Sequence, residues 1–324
     1  MKTLPRLLLG GLAASAAAAA GLVAFTYAET RRVQRLVPVD GEFLEVEGAR
    51  LHYVDRGQGQ PIVLIHGLGG QLRNFNYLVD LLAEEFRVIL VDRPGSGYST
   101  ATAGTGAGLR SQAAIFASFL DKLGLEKPLV VGHSLGGAIS LELALDFPEK
   151  VGALALIAPL TQFEEVLPPA FRGLAITSPR VRTAMAWMAV APVSRYGPKT
   201  QLEQVFAPDT VPTDFDIRAG GLLARRPANF LASSADLRGA AEDLAGLIAR
   251  YGQLSVPTRV LFGRGDTILN PEIHGRGLES VAPDLRLDIM DGGHMIPVTY
   301  PEETARWIAE AARDLAGDGA GTQS

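Results

Sequence analysis

The chain has 324 residues, 47% of them hydrophobic and 20% charged, with a net charge of −5. That length allows one large domain or two small ones with a sizeable core, and the apolar content excludes disorder along the whole chain. There is no cysteine, which excludes disulfides, thiol nucleophiles and thiolate metal sites, and no basic stripe of the kind a nucleic-acid binder carries.

The first element is an uncharged run of 22 residues, Leu7 to Ala28, rich in Ala, Leu and Gly. As a helix it would rise about 33 Å, enough for a hydrocarbon core of ~30 Å. Lys2, Arg6, Arg31, Arg32 and Arg35 flank it against Glu29 alone, which leaves −9 for the rest of the chain. Residues 1–35 are therefore expected to stand outside the globular fold as an N-terminal membrane anchor. The alternative is a signal segment cleaved after Thr26-Tyr27-Ala28, giving a secreted or periplasmic chain. Its many alanines weaken insertion.

Phe43–Glu47 and Leu51–Val54 predict a hairpin turning at Gly48. Continuous apolar runs follow at Ile62–Ile65, Val88–Val91, Leu129–Val131, Leu154–Ile157 and Val260–Phe262, with Leu285–Ile289 as the last candidate. Such runs fit strands buried on both faces. Helical periodicity fills the gaps, at Leu109–Leu123, Ala138–Phe147 and Glu302–Leu315. The alternation predicts an α/β fold with a mostly parallel central sheet flanked by helices, over residues 36–160 and 251–316. Residues 161–250 break the rhythm with eight prolines and short helical pieces, and are expected to form a helical lid. Residues 317–324 are expected to be a flexible tail.

In open parallel sheets, ligand sites gather at the carboxyl ends of strands. Leu129-Val130-Val131 runs into Gly132-His133-Ser134-Leu135-Gly136 and then a helix. A serine on so tight a turn needs small neighbours, and its hydroxyl is left exposed, so Ser134 is the candidate nucleophile. Ile65 ends in His66-Gly67-Leu68, whose backbone can donate towards it. Leu68 and Leu135 are the candidate oxyanion donors, both through backbone N–H.

The general base must come from five histidines. His52 lies within a strand, His66 belongs to the turn and reads as structural, and His133 adjoins the nucleophile with its side chain directed elsewhere. His274 falls at a charged helix start and is expected to be solvated. His294 follows the last strand on a glycine-rich loop and is the candidate base. The acid that orients it should end another strand, which selects Asp266 after Gly263-Arg264-Gly265, with Asp291 as rival and Asp236 and Asp243 weaker.

This set of motifs resembles the α/β-hydrolase superfamily over residues 43–315. The resemblance rests on the His-Gly loop, Asp92-Arg93-Pro94-Gly95-Ser96-Gly97, the Gly-His-Ser-Leu-Gly-Gly elbow, Gly-Arg-Gly-Asp, Gly-Gly-His-Met and the chain order Ser, Asp, His. It implies that Asp92–Ser99 is structural and that Ser96 and Ser99 are turn residues. Branches with an aspartate nucleophile are set aside because position 134 is serine. Carbon–carbon hydrolases are set aside because His133, not asparagine, precedes it. The implied activity is hydrolysis of esters or thioesters of hydrophobic acyl groups, without cofactor or metal. Perhydrolase or lactonase chemistry and a slow-turnover receptor are the alternatives. Phe163, Phe171, Met185, Trp187, Met188, Phe206 and Phe215 are candidates to line an acyl pocket beneath the lid.

Overall fold

A computed structural model describes the backbone of residues 3–164 and 166–320, and the side chains of 13–164 and 166–314. The apolar runs build a nine-stranded sheet. Its strands are β1 (Glu42–Val46), β2 (Ala49–Arg56), β3 (Pro61–Ile65), β4 (Arg87–Val91), β5 (Thr100–Ala101), β6 (Leu129–His133), β7 (Ala153–Ile157), β8 (Thr258–Gly263) and β9 (Leu285–Met290). The order is β1-β2-β4-β3-β6-β7-β8-β9, with β5 added to β2. The hairpin is antiparallel, β2 meets β4 antiparallel, and every pairing from β4 across to β9 is parallel.

Side chains alternate across a strand, so each apolar run feeds two cores. Ile62, Leu64, Leu129, Val131 and Ile157 join one cluster, which the Pro301–Ala320 helix covers with Trp307, Ile308 and Ala312. Val63, Ile65, Val130 and Leu156 join the other, under Phe116 and Phe119 of the Leu109–Lys122 helix and Ile139 and Leu143 of the Leu135–Asp146 helix. Cover on both faces explains why these strands read as unbroken apolar runs.

Between β7 and β8 the described residues form no strand. They form helices at Pro179–Met188, Val190–Tyr196, Thr200–Phe206 and Pro227–Ile248, with further short turns. Two of these begin on proline, where the missing N–H costs nothing. The closing helix runs on to Ala320, past the expected end at Leu315, so residues 317–320 of the expected tail are helical; residues 321–324 lie outside the described residues.

The N-terminal segment departs furthest from expectation. Thr3–Leu36 is one continuous helix of 34 residues, with no linker between the apolar stretch and the body. Val33 and Val37 are buried against Leu222 and Leu223, Thr26 and Glu29 are buried, and Phe25 packs on Tyr196 with ring centroids 5.9 Å apart. The last dozen residues of the segment thus belong to the globular fold, because an apolar stripe and charged partners are both available on the helical segment between β7 and β8. The expected membrane span gains no support. Among the described residues no helix is long and apolar enough to cross a membrane, and the side chains of Leu7 to Leu12 lie outside them.

Candidate active site

The turn after β6 is dictated by packing. A Cβ added to Gly136 would lie 2.1 Å from the Ile65 carbonyl oxygen, and one added to Gly132 would lie 2.6 Å from that of Gly136. Only glycine lets β6 and its helix approach this closely. Between them Ser134 is held at φ 55° and ψ −119°, a conformation that L-residues avoid unless the surroundings impose it.

Three side chains from separate strand ends meet here. The Ser134 hydroxyl donates to His294 Nε2 over 3.0 Å, and His294 Nδ1–H donates to Asp266 Oδ2 over 2.8 Å. All three are buried. Burial works against the charge on Asp266, but His294 and the backbone N–H groups of Ile268 and Leu269, 2.8 and 2.9 Å from Oδ1, outweigh it and hold the carboxyl below its ordinary range. The rival Asp291 is 88% exposed and pairs with Arg264 at 3.6 Å on the surface. Asp236 and Asp243 serve elsewhere, on Arg93 and on the Arg110 backbone.

The remaining histidines separate by partner. His66 accepts from the Arg93 N–H at 3.0 Å and donates to the Gly67 carbonyl at 2.9 Å; with burial and the neighbouring guanidinium, its basicity is strongly suppressed. His52 contacts Asp92 at 2.7 Å. Ser99 bridges His52 N–H and the Asp92 carbonyl at 2.8 Å each, a turn role. Ser96 is buried in the same turn.

His274 is not solvated, contrary to the sequence reading. It is fully buried, Nδ1 accepts from the Thr161 and Gln162 N–H groups at 3.1 and 3.2 Å, and Nε2–H donates to Glu164 at 3.0 Å. The charged helix start misled because its buried face turns onto β8 and the entry to the lid. Burial lowers its basicity.

Two residues acquire roles that their sequence positions did not signal. His133 Nε2–H donates to the His294 carbonyl at 2.9 Å, and its ring lies 4.9 Å from the His294 ring. Burial, then the proximity of His294, pushes it down to about 3, so it stays neutral and ties the base's loop to the nucleophile's turn. Arg93 is fully buried, ion-paired to Asp236 at 2.9 Å, and donates to the His66 and Gly67 carbonyls at 3.0 Å each. Both carbonyls lie on the loop that bears Leu68, so the guanidinium ties that loop to Asp236. A lone arginine in a glycine turn offers no sign of this without the distant partner Asp236.

Ser134 stands where two cavities meet. One, of about 400 Å³, is lined by Ser134, His294 and His133 and reaches Val193, Ser194, Lys199, Asp216, Arg225 and Asn229 of the segment between β7 and β8. The other, of about 300 Å³, is walled by Leu160, Leu167, Phe171, Leu237, Leu244 and Ile268, with Glu164 and His274 among its few polar residues. Leu68 borders both, and Leu135 the second. Of the aromatic and methionine candidates, Phe171, Met185, Phe206 and Phe215 line the first and Phe163 and Phe171 the second; Trp187 and Met188 line neither. Leu135 opens its helix, so its N–H has no partner within that helix and is available to an anion. Among the described residues no group of His, Asp and Glu could hold a metal ion.

A family model for the alpha/beta hydrolase fold matches residues 60–219. The chain is 40% identical over 120 residues to a dihydrolipoyllysine-residue acetyltransferase component of the acetoin cleaving system from Cupriavidus necator, a match covering 37% of this chain. It spans only 32% of that relative, so the relative's whole activity is not carried across. Identity is 29% to a 2-hydroxy-6-oxononadienedioate/2-hydroxy-6-oxononatrienedioate hydrolase from Burkholderia vietnamiensis, over 82% of this chain and 91% of the other. A thermophilic esterase from Thermogutta terrifontis superposes with a TM-score of 0.64 at 24% identity, covering 85% of this chain and 99% of that one, a likeness of fold.

Proposed function

The chain belongs to the α/β-hydrolase superfamily, and on that premise we propose that it is a serine hydrolase cleaving carboxylic esters or thioesters of hydrophobic acyl groups. The observation that carries the reading is a Ser134 hydroxyl 3.0 Å from His294 Nε2 at the junction of two cavities. Ser134 attacks the acyl carbon as His294 takes its proton, and Asp266 stabilises the imidazolium that forms. The backbone N–H groups of Leu68 and Leu135 receive the oxyanion. His294 then protonates the leaving alcohol, water attacks the acyl-enzyme with His294 as base, and Ser134 is regenerated.

Direction follows from the proton. The leaving group must lie beside His294, which borders the larger cavity and not the smaller. The acyl chain therefore occupies the smaller, apolar chamber, and the alcohol occupies the larger one with its polar wall.

A second reading, carbon–carbon bond hydrolysis, is favoured by the likeness to the Burkholderia vietnamiensis hydrolase, whose name specifies a dicarboxylate substrate. A dicarboxylate needs a cation for each carboxylate, whereas the cavity's Arg225 already pairs with Glu29 at 3.1 Å and Asp216 at 3.6 Å, which leaves Lys199 alone to serve two. Esters are the better fit. A fluorophosphonate probe should label Ser134, and Ser134→Ala should abolish labelling and lower kcat on p-nitrophenyl butyrate by about 10⁴-fold or more. Labelling that persists in the alanine variant would refute the nucleophile, and faster cleavage of the hydroxy-oxo-dienedioate than of esters would favour the second reading.

A further inference from the structure

The wall of the larger cavity is held from outside by the N-terminal helix. Glu29 sits on that helix with a side chain only 1% exposed, yet it does not line the cavity. Its carboxylate receives Arg225 Nη1 at 3.1 Å, Arg32 Nη1 at 3.2 Å and Arg195 Nη1 in a closer contact. Arg195 belongs to the Val190–Tyr196 helix, whose Val190, Val193 and Ser194 form one side of the cavity. Arg225 ends the Gly221–Arg225 turn and itself lines the cavity beside Asp216. One buried carboxylate thus joins two lid segments that have no regular secondary structure in common.

The neighbouring contacts run the same way. Val33 and Val37 bury Leu222 and Leu223 of the turn, the Tyr98 hydroxyl donates to the Val37 carbonyl, and Phe25 packs on Tyr196 at the end of the lid helix. A charge buried among three guanidiniums is costly to lose, because removing it strands like charges beside one another. Without Glu29, Arg195 and Arg225 would repel, and the two walls would part.

We propose that Glu29 is a positioning residue for substrate binding: it fixes the alcohol-side cavity through Arg195 and Arg225, so that the N-terminal helix is part of the specificity site. This rests on the ester reading above, with the alcohol group in the larger cavity. The triad touches none of these residues, so an ester with a small alcohol should be indifferent to the latch, and one with a large alcohol should depend on it.

The test uses the full chain and two butyrates with the same acyl group, methyl butyrate and 4-methylumbelliferyl butyrate. Glu29→Gln should raise KM for the umbelliferyl ester about tenfold with kcat within about twofold, and leave kcat/KM for methyl butyrate within about twofold. Arg195→Gln removes one arm of the latch from a side chain already about a third exposed, and so tests the proposal even if Glu29→Gln fails to fold. It should move KM for the large alcohol in the same direction by about threefold. An equal change for both esters, or none for either, overturns the inference while the ester reading stands. A wild-type protein that cleaves neither ester overturns both.

Discussion

His133→Gln isolates a buried histidine that donates a hydrogen bond but takes no part in proton transfer. Held at about 3 in the folded chain, His133 has an ordinary value of about 6.5 when unfolded. Between those values the unfolded chain binds a proton that the folded chain refuses, so the stability this group confers is complete above pH 6.5 and drains away as pH falls towards 3. From pH 7 to pH 5 the loss from this one group is about 2 kcal/mol, since 2.303RT is ~1.4 kcal/mol per unit. Glutamine places an N–H where Nε2–H stood, within reach of the His294 carbonyl, so the variant removes the titration and leaves the bond available. Urea unfolding at pH 7 and pH 5 should show wild type losing about 2 kcal/mol more than His133→Gln over that interval. Parallel losses in the two proteins would refute the account, and would mean that His133 either ionises while folded or is solvated.

Two carboxylates can be told apart directly: Asp266→Asn should lower kcat about 10³- to 10⁴-fold, while exposed Asp291→Asn should leave it within about twofold. Steady-state assays on p-nitrophenyl butyrate check both, and the reverse order would exchange their roles. Arg93→Met should cost about 3–5 kcal/mol in urea unfolding, because it leaves Asp236 buried without its cation. It should also depress kcat in the fraction that folds, through the loop bearing Leu68. Gly136→Ala should destabilise by about 3 kcal/mol or more, since its Cβ meets the Ile65 carbonyl; a melting temperature equal to wild type would show that the turn can relax.

Most of the sheet was legible because parallel strands covered on both faces leave unbroken apolar runs, and the hairpin announced itself at Gly48. Strand β5, two residues long, left no pattern to read. Ser134, Asp266 and His294 could be nominated because each follows a strand with glycines beside it, a local signature. What escaped were side chains whose roles depend on partners far along the chain. Arg93 finds Asp236 143 positions away, Glu29 finds Arg225 196 away, and His274 is buried by Thr161 and Glu164 across more than a hundred residues. Helix periodicity also misled at the N-terminus. An alanine-rich run followed by arginines looks detachable unless it is known that the lid offers Leu222, Leu223 and two guanidiniums to receive it.

The unbroken N-terminal helix also behaves as a rigid boom. At 1.5 Å per residue its 34 residues extend about 51 Å, and between Ala13 and Ala24 every residue but Ala19 is exposed. The helix is unbroken from its far end to the buried residues Val33 and Glu29, so anything that grips the far end sets the heading of the whole molecule as well as its distance. A swivel of Gly and Ser inserted between Ala24 and Phe25 would leave the tether length nearly unchanged and abolish the control of heading. Torque on the boom, in turn, is delivered at Glu29, the same point that braces the chamber wall.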